Sequence, residues 1–164
     1  MRRVLLLAVL SLCLAAANER VVPEDPFDVL KALAGDWEAD LPGFGKITDS
    51  IHLVSNGTAI EETIGTPADN EASLYTRDGR RILLTHFCAL TPGGHVARLE
   101  TADLGHGPRK FDFGFRDATN LTDASAPHMR RMQLTITDPD HFTERWIKAD
   151  HGKDTVFELH FVRR

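Results

Sequence analysis

Beyond Gly35 the sequence never returns to a helix-length apolar stripe. It runs instead as short stretches of alternating apolar and polar residues separated by turn residues. The clearest stretch is Lys110 to Arg116, where Phe111, Phe113 and Phe115 alternate with charged residues or glycine. Period two is the pattern of a strand with one face buried. The same period carries Trp37, Ala39 and Leu41, then Ile47, Ile51 and Leu53, then Ile60 and Ile64. It returns in Met132, Leu134 and Ile136, in Phe142 and Trp146, and in Phe157, Leu159 and Phe161. Further strands are predicted over 72–76, 81–90 and 96–102. Asn56-Gly57, Asp78-Gly79, Thr91-Pro92-Gly93-Gly94, Leu104 to Pro108 and Asp138-Pro139-Asp140 supply the turn chemistry between them. Short connections predict antiparallel pairing of sequence neighbours, and closing the sheet removes its exposed edges. The predicted fold is all-β, a single antiparallel up-and-down barrel of about 8–10 strands.

One short helix precedes the barrel. Asp25-Pro26 reads as an N-cap followed by proline in the first turn, Phe27, Leu30, Leu33 and Ala34 recur at helical spacing, and Gly35 is a natural stop. Upstream, Met1-Arg2-Arg3 leads into an apolar run from Val4 that ends in Ala15-Ala16-Ala17. A basic start, a short apolar stretch and small residues at its end make a secretory signal peptide, too short for a membrane-spanning helix. The expected organisation is a signal peptide over 1–17, a flexible leader over 18–25 and one barrel domain over 26–164. Cleavage after Ala17 would leave 147 residues and, with two arginines gone, shift the net charge from −5 to −7. An acidic mature domain argues against a nucleic-acid partner, and signal removal leaves no membrane anchor. The expected location is periplasmic or secreted. Cys13 lies in the signal, so the mature chain keeps Cys88 and no internal disulfide.

In a barrel the informative residues are polar ones on otherwise apolar faces, because an unpaired buried charge is costly. Asp49 shares a face with Ile47 and Ile51, Glu62 lies between Ile60 and Ile64, and Glu144 between Phe142 and Trp146. His86 lies between Leu84 and Cys88 on a strand apolar on both faces. Pointing inward together, they place three carboxylates and an imidazole in one interior; the alternative is that arginines such as Arg98 or Arg145 pair with them. His86 and Cys88 at i and i+2 suit zinc or copper, with His128, Met129 or His141 as further donors. No compact ligand spacing accompanies them, so the assignment here is a packed histidine and cysteine and no metal. Asp117 to Asn120 opens the one long connection, where capping of a turn and ligand contact are alternatives. The residues assigned to ligand binding are His86, Glu62, Glu144, Asp49, Phe113, Trp146, Asn120 and His128. No catalytic residue is assigned. No nucleophile-elbow, Walker or dinucleotide motif is present.

Gly35-Asp36-Trp37, directly after the helix, resembles the G-x-W that opens the first strand of lipocalins and related calycins. That resemblance implies that Arg163 or Arg164 of the last strand covers Trp37. Leu84-Thr85-His86-Phe87-Cys88, Asp117-Ala118-Thr119-Asn120-Leu121, Pro127-His128-Met129 and Asp138-Pro139-Asp140-His141-Phe142 are similar to the DUF1579-like exported bacterial barrels. The sequence departs from that pattern at Thr91 to Gly94 and at Arg130. The resemblance implies a calycin-like barrel outside the cytoplasm and carries no activity. The expected function is binding of a small, largely apolar ligand within the barrel, its cofactor unknown. The alternatives are an isomerase or lyase built on the inward carboxylates and His86, or a barrel holding heme or a metal.

Overall fold

Asp25 caps the helix as the sequence predicts. Its carboxylate accepts from the Phe27 amide at 3.0 Å and Pro26 occupies the first turn. Helix α1 spans Pro26–Lys31 and buries Phe27, Val29 and Leu30. The computed structural model describes residues 25–66, 69–89, 94–101 and 109–164. The signal segment 1–17, nearly all of the leader and the turns at 91–93 and 104–108 lie outside the described residues.

Ten strands follow: β1 Gly35–Leu41, β2 Gly45–Val54, β3 Ala59–Thr66, β4 Asp69–Asp78, β5 Arg81–Cys88, β6 His95–Thr101, β7 Lys110–Ala118, β8 His128–Asp138, β9 His141–Asp150 and β10 Lys153–Arg163. Each pairs antiparallel with its sequence neighbours, and β1 pairs with β10 to close the barrel. The up-and-down barrel is therefore as predicted, with the short helix before its first strand. Because the strands alternate in direction, the barrel has a helix end, where β1 begins and β10 finishes, and an opposite end where β1 finishes and β10 begins.

The helix end is sealed by aromatic packing and one arginine. Trp37 is wholly buried, donates through Nε1 to the Leu33 carbonyl at 2.8 Å, and meets Phe142 edge-on at 4.7 Å. Phe142 stacks on Phe161 at 4.7 Å. The Arg163 guanidinium lies 4.0 Å from the Trp37 ring and donates to the carbonyls of Ala32, Ala34 and Pro139. A guanidinium over an indole face combines cation–π attraction with planar donation. Gly35 makes this approach possible: it has φ +141°, and a Cβ there would stand 2.5 Å from Arg163 Nη1. The glycine and tryptophan of the G-x-W thus serve one contact.

One aromatic departs from its expected place. Phe111 and Phe113 are core residues, but Phe115 is 39% exposed. Strand β7 pairs with β8 only through Gly114, so Phe115 lies past the point where the wall is continuous and rests instead on the His128 ring at 4.5 Å.

Candidate functional site

Alternation along the strands sends a set of polar side chains into the barrel at mid-height. Asp49 of β2, Glu62 of β3, Ser73 of β4, His86 of β5 and Glu144 of β9 are all buried, with Tyr75 beside them. The one-face reading of Asp49, Glu62, His86 and Glu144 is therefore the observed one. The arginines weighed as their partners are elsewhere: Arg98 pairs with Asp117, and Arg145 faces Glu158 and Gln133. Tyr75 donates to Glu62 Oε2 at 2.9 Å and Trp146 Nε1 to Glu144 Oε2 at 2.8 Å. Among the described residues, no hydrogen bond of good geometry reaches either Asp49 oxygen, Glu62 Oε1, Glu144 Oε1 or His86 Nε2.

Burial first, then the charge of Glu62, pushes the Asp49 and Glu144 carboxyls well above the usual carboxylate range. Burial likewise raises the Tyr75 hydroxyl, with Glu62 adding to it. These groups hold their protons because charging them in a dry interior is unfavourable. A void of about 10 Å³ beside Glu62 and Tyr75, walled by Leu30, Leu33, Ile51, Ile60 and Leu134, is the space this layer adjoins. That is room for about one water molecule and not for a substrate.

Beyond the carboxylate layer, toward the end opposite the helix, the barrel opens into a cavity of about 230 Å³. Leu41, Ile47, Ile64, Met129, Trp146 and Leu159 form its apolar wall, with Phe44 and Phe157 at the mouth, 6.4 Å apart edge to face. Phe44 is 60% exposed, so the mouth carries an apolar residue facing solvent. Glu71, His86, Asp69 and Thr66 supply polar groups on one side. His86 lies against Trp146, ring centroids 4.4 Å apart, with its Nδ1 hydrogen-bonded to Ser73 Oγ at 3.1 Å. Its Nε2 is 3.3 Å from Glu71 Oε2. Burial works against the Glu71 charge, but the neighbouring His86 and Cys88 and the hydrogen bond from the Ala89 amide hold that carboxyl below its usual range.

Of the eight residues assigned to binding from the sequence, His86 and Trp146 line this cavity. Asp49, Glu62 and Glu144 belong to the layer beneath it, and Phe113 packs on Tyr75 and Phe111 in the core. Asn120 takes φ +58° and donates across to the Gly94 carbonyl, while Asp117 at the start of its segment pairs with Arg98. His128 is buried under Phe115 with Nδ1 on the Ala126 carbonyl at 2.7 Å. Glu71 was not singled out from the sequence. Glu71, Ser73 and Tyr75 share one face of β4, which starts at Asp69, ahead of the predicted start at Ala72.

No family model and no curated protein matches the chain. Among solved structures it is similar to a protein of unknown function from the DUF3598 family of Nostoc punctiforme, at TM-score 0.56 and 11% sequence identity. The alignment covers 82% of this chain and 48% of that one, so this chain spans about half its length. The likeness is one of fold, and the family it touches is not the DUF1579-like one that the sequence motifs resemble.

Proposed function

We propose that the barrel binds one small, largely apolar molecule in the cavity opposite the helix, with Glu71 and His86 meeting its polar group. The observation that carries this is the cavity itself, an apolar wall with its few polar groups gathered on one side. Binding sites for small molecules share that composition, because burial supplies affinity and a few fixed polar contacts supply orientation. The volume, about 230 Å³, suits a molecule of one or two rings. Isomerase or lyase chemistry on the inward carboxylates is the weaker reading, since Glu62 adjoins a void of about 10 Å³ and, of the four inward groups, His86 lines the larger cavity. The Trp37–Arg163 closure behind Gly35 favours a calycin-type relationship, and the basic-then-apolar start of the sequence favours a periplasmic or secreted location.

The test uses 2-naphthol, a neutral two-ring probe with one hydroxyl, titrated into chelator-treated protein by calorimetry. Saturable 1:1 binding is expected, weakened at least tenfold in Ile64→Phe, which places a ring in the cavity. Absence of saturable binding, together with no retained small molecule in native mass spectrometry, would sink the reading.

A further inference from the structure

Cys88 of β5 lies next to this cavity, on the same strand face as His86 and facing Glu71 across the β4–β5 pair that joins Ala72 to Phe87. One donor atom from each of Glu71, His86 and Cys88 lies within 4.8 Å of the others. Around a tetrahedral zinc ion such donors sit roughly 3.3–3.8 Å apart, given Zn–S near 2.3 Å and Zn–N or Zn–O near 2.1 Å. Closing the three donors onto an ion therefore asks only for small side-chain movements.

We infer that Glu71, His86 and Cys88 form a three-ligand Zn²⁺ site whose open coordination position faces the cavity. Four observations converge on it. His86 is 1% exposed, and its Nε2, the atom nearest Glu71, makes no hydrogen bond of good geometry. Ser73 holds the opposite ring nitrogen at 3.1 Å, where its hydroxyl is able to accept the Nδ1 proton, an outer contact that orients the ring and aims Nε2. The donor set is thiolate, imidazole and carboxylate, whose charges cancel those of a divalent ion and so make a neutral group in an apolar wall. A thiolate with an imidazole and a carboxylate suits zinc, whereas magnesium and calcium take oxygen ligands and copper(I) prefers sulfur donors without carboxylate. Glu71 and His86 both line the cavity, so three protein ligands leave a fourth position toward it, the arrangement of reactive rather than closed zinc sites. On binding, Zn²⁺ replaces the proton of the Cys88 thiol, which is released to solvent.

The experiment is a Co²⁺ titration of reduced full-length protein carrying Cys13→Ser, so that Cys88 is the one thiol present. Cobalt reports the site through a thiolate-to-metal charge-transfer band in the near ultraviolet and tetrahedral visible bands, and Zn²⁺ should displace it. A 1:1 endpoint with both features is expected. Cys88→Ala should abolish the charge-transfer band, and it keeps a small apolar residue in the wall. Glu71→Gln should weaken cobalt at least tenfold, and Ser73→Ala, acting through His86, on the order of tenfold. Near-ultraviolet circular dichroism of Trp146, which lies on His86, checks that each variant is folded. A titration of the Cys13→Ser protein without the charge-transfer band, or a folded Glu71→Gln variant with unchanged cobalt affinity, overturns the site. Because 2-naphthol binding is measured after chelation, loss of the metal claim and loss of the cavity claim are separate results.

Discussion

The same ten strands build two different ends. At the helix end Trp37, Phe142 and Phe161 are fully buried, α1 covers them, and Arg163 ties the last strand to the helix. At the other end the strands enclose an open space of about 230 Å³, an exposed phenylalanine stands at the mouth, and polar donors line one wall. Between them lies the carboxylate layer around Glu62. The difference teaches that a closed sheet can segregate its tasks along the strand axis, with packing that holds the barrel at one end and room for a partner at the other.

The largest test of that segregation is Trp37→Ala. It removes a wholly buried ring, its hydrogen bond and its arginine, and is expected to cost about 3–5 kcal/mol in urea unfolding. Phe157→Ala at the mouth is expected to cost under about 1 kcal/mol, since Phe157 is only partly buried. Equal losses would erase the comparison.

Strand β3 offers a finer version, because Ile60 borders the small void and Ile64 the large cavity. Ile60→Phe is expected to destabilise by about 1–3 kcal/mol through overpacking. Ile64→Phe, with space to receive the ring, is expected to stay within about 1 kcal/mol of the parent.

The layer between the ends makes a prediction in pH. Burial raises Glu144 and Asp49, so the folded state keeps protons that the unfolded chain has released. Their contribution is therefore fully present below the ordinary carboxylate range and is lost as pH rises toward the folded values. Surface carboxylates act in the opposite sense: Asp25 beside Arg77, Asp138 beside His141 and Asp154 beside Arg130 are held down, and their contributions are lost on acidification. Glu144→Gln keeps an acceptor for Trp146 and removes only the first kind. The variant is expected to exceed the parent by about 1–3 kcal/mol near pH 8, a gap that closes toward pH 4. A constant gap across that range would show that Glu144 titrates normally.

A milder change at the helix end than Trp37→Ala is Arg163→Lys, which keeps the charge but loses the planar contact with Trp37 and the fork of donors. A loss of about 0.5–2 kcal/mol is expected by thermal unfolding.

Period two made the fold legible, since each apolar face needed a wall and closure provided one. It also placed Asp49, Glu62, His86 and Glu144 inside, because a strand leaves only two directions to point. What it did not carry was depth along the barrel axis: Trp146 and Glu144, two residues apart, belong to different compartments. Nor did it show where neighbouring strands part, which set Phe115 apart from Phe111 and Phe113. Glu71 lies outside the strand predicted over 72–76, although it continues the face of Ser73 and Tyr75.

The seam between β1 and β10 has a consequence for the order of assembly. Every other pairing joins strands adjacent in sequence, whereas Arg163 reaches the Ala34 carbonyl across 129 residues. Neighbouring hairpins close small loops and form early, while the seam must overcome the largest chain entropy and closes last. Until it does, the molecule is an open curled sheet with two bare edges, each able to pair with another chain. Arg163 then acts as a latch on the seam, and weakening it should show as association during refolding at high protein concentration in addition to the loss seen in the finished barrel.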